Sequence, residues 1–251
     1  MNKWTGIWQQ CGGAVVLMAL AALPVDAQVV QPWEERGFVT VSGGVQPTGQ
    51  THVSTGDFAL YGETGTFDAT LKTGSGGIFD VSAGARIWEN ALVALSYTLY
   101  SDTVDTVVNA MVPDPLLANA FAASSVNVGG LDHREQAVHI SLGYMVPAVG
   151  VSNLRLMLHV GPTVFMLDKD VISGVTVPAG TQTIDGATTE SVSGTALGVH
   201  IGADAQYMIT RQFGAGLLLR WAGGSVDVPQ IDGGEVEVGG LSIAGGLRYS
   251  F

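Results

Sequence analysis

From Thr195 to Thr210 the side chains sort by strict alternation. Leu197, Val199, Ile201, Ala203, Ala205, Tyr207 and Ile209 share one parity; Gly198, His200, Gly202, Asp204, Gln206 and Met208 share the other. A helix, with its period of 3.6, would mix the two sets, whereas an extended strand places them on opposite faces. The last segment behaves in the same way. Leu241, Ile243, Gly245, Leu247, Tyr249 and Phe251 alternate with Ser242, Ala244, Gly246, Arg248 and Ser250. Each segment is thus a strand with one apolar and one polar face. Many such strands must find a way to use both faces.

Eight segments read this way: 37–46, 76–88, 91–101, 135–146, 154–167, 195–210, 213–222 and 238–251. Short links follow the second, fourth and sixth (Glu89-Asn90, 147–153 and Arg211-Gln212). Long ones follow the first, third, fifth and seventh (47–75, 102–134, 168–194 and 223–237). Short turns on one side, long connections on the other and an even strand count are the pattern of an outer-membrane barrel. The predicted fold is all-β, an eight-stranded antiparallel transmembrane β-barrel. Residues 57–71, with Phe58, Leu60, Tyr61 and Phe67, read as an extended hairpin above the membrane; counting more strands there gives ten as the alternative. A soluble β-sandwich, the competing architecture, would bury the apolar faces between two sheets. Trp88, Tyr100, Tyr144, Tyr207, Phe213, Trp221, Tyr249 and Phe251 near strand ends instead suit the aromatic girdles of a barrel.

Composition narrows the class. Only 13% of residues are charged, about half the soluble norm, and glycine is 35 of 251, roughly twice the usual share. With 22 acids against 10 Lys and Arg the chain is unsuited to nucleic acid. Past residue 27 no apolar run approaches the roughly 18 residues of a spanning helix. The N-terminus reads as a secretory signal over 1–27: Lys3, an apolar core from Ala14 to Leu23, then Val25 and Ala27 before the cleavage site. Residues 28–36 follow as a periplasmic segment, and 37–251 as the barrel. Cys11 precedes the apolar core, so the mature chain has no thiol chemistry, disulfide or cysteine metal site.

The ending Gly245-Gly246-Leu247-Arg248-Tyr249-Ser250-Phe251 resembles the C-terminal assembly signal of bacterial outer-membrane proteins, with Leu247, Tyr249 and Phe251 at its alternate positions. Gly84-Ala85-Arg86-Ile87-Trp88 is similar to strand endings of the same group. In pattern the whole mature chain resembles the small OmpA-like and OmpW-like barrel domains of Gram-negative cell envelopes. That resemblance implies insertion by the barrel-assembly machinery and contact with outer-membrane lipid and lipopolysaccharide. With Phe251 last, no soluble domain is expected after the barrel. The group's members include structural proteins, adhesins, narrow porin-like channels and enzymes, so no single activity follows.

Strand parity sorts the charges. Arg86, Arg155, Arg220, Arg248, Asp80, Glu135 and Asp204 point into the barrel with His139, His159, His200 and Gln206, and none of the strand charges faces lipid. An eight-stranded interior is just wide enough for side chains to fill, so a structural polar network is expected there. The long connections are acidic, with Asp57, Asp68, Asp105, Asp132, Asp168, Asp185, Asp227 and Glu237 outnumbering Lys72, Arg134 and Lys169. Such a crown repels anions and makes divalent cations candidate partners, at Asp168-Lys169-Asp170 or Glu235-Val236-Glu237. Solvated loop charge is the plainer reading. The 102–134 connection carries Val107, Val108, Met111, Leu116, Leu117 and Phe121, which suit a hairpin packing on itself.

His139-Ile140-Ser141 has the spacing of a lipid A deacylase pair, in which His activates Ser. Both side chains point into the lumen, away from lipid, and no Glu follows before Glu190. No enzyme, catalytic residue, metal or cofactor is therefore expected. The expected function is a structural or surface-interaction role through long acidic extracellular loops, with a narrow pore or route for small solutes as the alternative.

Overall fold

A computed structural model describes residues 35–47, 49, 51–146, 153–227 and 235–251. The signal segment, most of 28–36 and nearly all of the 147–153 link lie outside the described residues. Among the described residues ten strands form: β1 (Gly37–Gln46), β2 (Thr51–Leu60), β3 (Glu63–Lys72), β4 (Gly76–Trp88), β5 (Ala91–Pro113), β6 (Phe121–Val146), β7 (Leu154–Thr176), β8 (Gly186–Met208), β9 (Phe213–Asp227) and β10 (Glu235–Ser250). Eight of them close a ring in the order β1-β4-β5-β6-β7-β8-β9-β10, every neighbouring pair antiparallel. The seam closes where β1 pairs with β10, from Phe38 against Ser250 to Val45 against Ile243. At its lower end the Phe251 carbonyl accepts the N–H groups of Arg36 (2.7 Å) and Gly37 (3.0 Å). Closure leaves no free edge in that ring, which is what lets a sheet cross lipid.

The ring's exterior is a belt of exposed apolar side chains. Val41, Phe79, Leu95, Ile140, Val160, Ile201, Leu219 and Ile243 contribute one from each strand. A continuous apolar girdle of this kind does not stay in water. Trp88, Tyr144, Tyr207, Phe213, Tyr249 and Phe251 rim its lower edge, and Trp221 lies near the upper one. Tyr100 does not belong to the girdle. Its parity is that of Leu92, Ser96 and Thr98, and it lies buried inside the ring, edge-on to His133. The segments 38–45, 77–88, 91–99, 136–146, 154–166, 195–208, 213–222 and 241–250 form the spanning wall; no charged side chain in them faces outward.

The largest departure from expectation lies above the belt. The connections 102–134 and 168–194 are mostly strand. β5 runs on to Pro113, about 45 Å past the belt at ~3.3 Å per residue. Turns remain only at 114–120 and 177–185. Residues 57–71 fall in the β2–β3 hairpin, which joins the upper part of β5 through β3, Thr66 to Ala69 against Met111 to Val108. The result is a four-stranded sheet, β2-β3-β5-β6, packed on the β7–β8 hairpin. Phe67, Leu71, Val104, Val108, Val112 and Leu131 meet Ile172 and Ile184 in its core. These stretches differ from the spanning wall in an outward face that is largely polar, with Asp105, Asn109, Ser125 and Asn127 beside Val107 and Met111. The alternation itself never stops: Val104, Thr106, Val108, Ala110 and Val112 are all buried.

Candidate functional site

The barrel interior is layered. At the lower end Phe38, Leu92, Met145 and Met157 pack together. The Arg248 guanidinium lies 4.0 Å from the Phe38 ring centre, and its Nε donates to Thr40 Oγ1 at 2.8 Å. Above comes a polar layer. Higher again, Phe165, Leu167, Val171, Val192, Val226, Val236 and Val238 form an apolar tier. The polar layer is therefore enclosed between two apolar ones.

Asp80, Glu135, Asp204, Arg220, Arg248, His139, His159, His200 and Gln206 are all buried inside the ring, whereas Arg86 and Arg155 are half-buried near the lower rim. Arg220 Nη2 pairs with Asp80 Oδ2 and also donates to Thr98 Oγ1 at 2.8 Å. Arg248 Nη2 stands 3.7 Å from Asp204 Oδ1, and His159 Nε2 stands 3.6 Å from Asp204 Oδ2. The first pair is a tight charge-assisted contact. The other two are longer than hydrogen bonds.

His139 and His200 are threaded on hydroxyls. Ser141 Oγ and His200 Nε2 are 2.9 Å apart, as are His200 Nδ1 and Thr163 Oγ1. Thr163 Oγ1 is 2.8 Å from His139 Nδ1, and His139 Nε2 is 3.2 Å from Thr98 Oγ1. Thr98 Oγ1 in turn donates to Asp80 Oδ2 at 2.7 Å. The partner of Ser141 is thus His200, two strands away, and not His139, two residues away. Glycine decides this. Gly161 stands between them on β7, paired with His200, and a Cβ there would sit 3.2 Å from the His200 ring and 1.9 Å from the Ile140 carbonyl. Gly202 likewise leaves the seat for His159, whose Nε2 would lie 2.6 Å from an added Cβ.

A second cluster sits above the belt and is missed by parity read only to the strand ends. His133 Nε2 meets Glu135 Oε1 at 2.8 Å, and Glu135 Oε2 accepts the Gly239 N–H at 2.8 Å. Gly239 holds φ +87°, a left-handed conformation suited to glycine. Lys169, expected as a solvated loop charge, is buried beside them on β7, paired with His133 across the ladder. Its amine has no hydrogen-bond partner among the described residues, and burial lowers its pKa to about 8 against the opposing pull of Glu135. The signal for its orientation is its parity with Leu167 and Val171, which continues the β7 alternation past residue 167.

The acidic residues around it stay outside. Asp170 accepts the Asp132 N–H (3.1 Å) and the Ser191 hydroxyl (2.5 Å), and Glu235 and Glu237 flank the buried Val236. Among the described residues no group of three or more His, Cys, Asp or Glu is placed to hold a metal ion. Leu247, Tyr249 and Phe251 point outward at the lower rim, with Tyr249 ring-packed between Phe213 and Phe251.

A closed eight-stranded ring, an apolar exterior belt with aromatic rims and a polar interior are the features of a small β-barrel of the outer-membrane type. Among solved structures the chain is similar to Neisserial surface protein A, with TM-score 0.43 and 15% identity over 86% of this chain and 97% of that one. It is also similar to the outer membrane protein OprG of Pseudomonas aeruginosa, with TM-score 0.46 and 15% identity over 86% and 97%. The outer membrane protease OmpT of Escherichia coli matches with TM-score 0.44 and 10% identity over 90% and 99%. No protein-family model and no curated protein matches the sequence. At this similarity the class rests on the chain's own ring and belt.

Proposed function

We propose that the chain is a non-enzymatic structural and surface-interaction protein of the outer membrane, presenting a rigid acidic module above a sealed barrel. The single observation that supports this reading most is the layering of the lumen: an ion-paired polar layer between the Phe38–Met157 tier below and the Phe165–Val238 tier above. A hydrophobic tier packed shut excludes water, and ions with it. The upper strands then serve presentation. Their sheet-and-hairpin core holds Asp68, Asp105, Asp132, Asp168, Asp170 and Glu190 on outward or solvent-facing positions. Partners of such a surface carry positive charge, or reach it through divalent cations, as lipopolysaccharide phosphates do. Assembly through Leu247, Tyr249 and Phe251 after removal of residues 1–27 belongs to the same proposal.

The test is conductance of the refolded barrel in planar bilayers. No stable channel is expected. A steady open level in the unmodified protein would instead support a narrow pore and defeat the sealed-lumen reading.

A further inference from the structure

The hydroxyl–imidazole thread in the lumen carries a definite order of protons. Thr98 has one proton, and it goes to the Asp80 carboxylate. Thr98 Oγ1 can then only accept, from Arg220 and from His139 Nε2–H. With an uncharged ring, His139 Nδ1 accepts, so Thr163 spends its proton there. His200 must then donate from Nδ1 to Thr163, which leaves His200 Nε2 to accept the Ser141 hydroxyl. One direction results: Ser141 to His200 to Thr163 to His139 to Thr98 to Asp80.

The start of that thread opens on a small internal space. Ser141, His159, Asp204, Asp80 and Arg220 are among its walls. It leaves about 10 Å³ for the centre of a water molecule, room for about one. Ser141 Oγ, having given its proton away, faces this space as an acceptor. His159 is buried, and neither of its ring nitrogens has a hydrogen-bond partner among the described residues. A buried polar group without a partner is rare in native proteins. Asp204 meets both His159 and Arg248 only at 3.6 and 3.7 Å, too long for hydrogen bonds, so its carboxylate keeps capacity to accept from a water beside these contacts.

We infer that this space is a binding site for a single neutral water, which bridges His159, Asp204 and Ser141 and completes the directed thread. Charge decides between water and an ion. Arg220 and Arg248 already balance Asp80 and Asp204, so any added ion would leave an uncompensated charge in a low-dielectric enclosure. Hydrogen-bond roles point the same way. Uncharged His159 has one nitrogen to donate and one to accept, and Ser141 needs a donor. Water supplies both roles, whereas a metal cation cannot donate and a halide cannot donate either.

The experiment is nitrogen-15 NMR of histidine-labelled, refolded barrel in micelles. In the unmodified protein His139 should carry its proton on Nε2 and His200 on Nδ1, with a water cross-peak to the His159 ring N–H. The shifts should be unmoved by sodium, calcium or chloride. In Ser141→Ala the direction is still set from Asp80, so His200 should keep its proton on Nδ1, while its Nε2 shift moves because that nitrogen loses its donor, and the barrel still forms. His159→Phe should still fold and leave the His139 and His200 tautomers unchanged, because the thread runs through Ser141, Thr163 and Thr98 and not through His159. That second variant keeps the test decisive if Ser141→Ala fails to fold. The inference is overturned by a salt-dependent shift of His159, which would mean an ion, by the reverse tautomers, or by the lack of any water cross-peak. Labelling of Ser141 by a fluorophosphonate probe would also overturn it, because the enclosure would then be open to solutes.

Discussion

Below and above the upper edge of the belt, the same strands carry opposite chemistry on the same faces. In β5, Val93, Leu95 and Tyr97 point outward while Ser96 and Thr98 point in. Further along the strand, Asp105 and Asn109 point outward while Val104, Val108 and Val112 point in. The backbone does not register the change; only the medium outside it does. Where lipid surrounds the wall, the polar side chains are forced inward and must satisfy one another, which they do through the Asp80–Arg220 pair and the histidine thread. Where water surrounds it, the inward face becomes an ordinary hydrophobic core, built from the four-stranded sheet and the β7–β8 hairpin. The switch of sign along a strand therefore marks the membrane boundary more sharply than strand length does.

The strongest blow to the lower half should come from Asp80→Ala. It leaves Arg220 buried without its carboxylate, a loss of about 3–5 kcal/mol, lowered by any water that enters. Urea unfolding in detergent should show a large drop in midpoint, and Asp185→Ala in the upper turn should show almost none. Equal midpoints would mean that the ion pair is not part of what holds the lumen together.

A matched pair tests the boundary itself. Leu95→Arg and Val107→Arg place the same charge on the outward face of the same strand, once within the belt and once above it. The first should cost about 2–4 kcal/mol, the second only a few tenths. Similar penalties at both positions would show that the belt has been drawn at the wrong height.

The smallest effect concerns Lys169, above the belt. Burial lowers its pKa to about 8, below the usual value for an unfolded chain. The unfolded state therefore binds more protons between about pH 8 and 10, so this group makes the protein more stable as pH rises through that window. Lys169→Met should flatten that rise and raise stability at pH 7, provided the loss of attraction to Glu135 stays small. A pH profile identical in the two proteins would return Lys169 to the solvated surface.

How far the sequence reaches can be seen at His200. Its alternation with Val199 and Ile201 is enough to put it inside the barrel, because period two is a property of a single extended segment and needs no neighbour. The closed ring follows from the same local rule, applied eight times, with the alternating connection lengths. Tyr100 shows the rule misapplied: its aromatic character suggests the rim, yet its parity with Thr98 already assigns it to the interior. Beyond residue 101 the alternation persists, but polar outward residues look like loop composition, so the continuation of β5 to Pro113 is legible only if parity is weighed above polarity. What no single segment contains is register. That Ser141 meets His200 rather than His139 depends on how β6, β7 and β8 align and on the gap at Gly161. Those alignments are settled by packing among strands far apart in the chain, and the hydrogen-bonded thread exists only once they are in place.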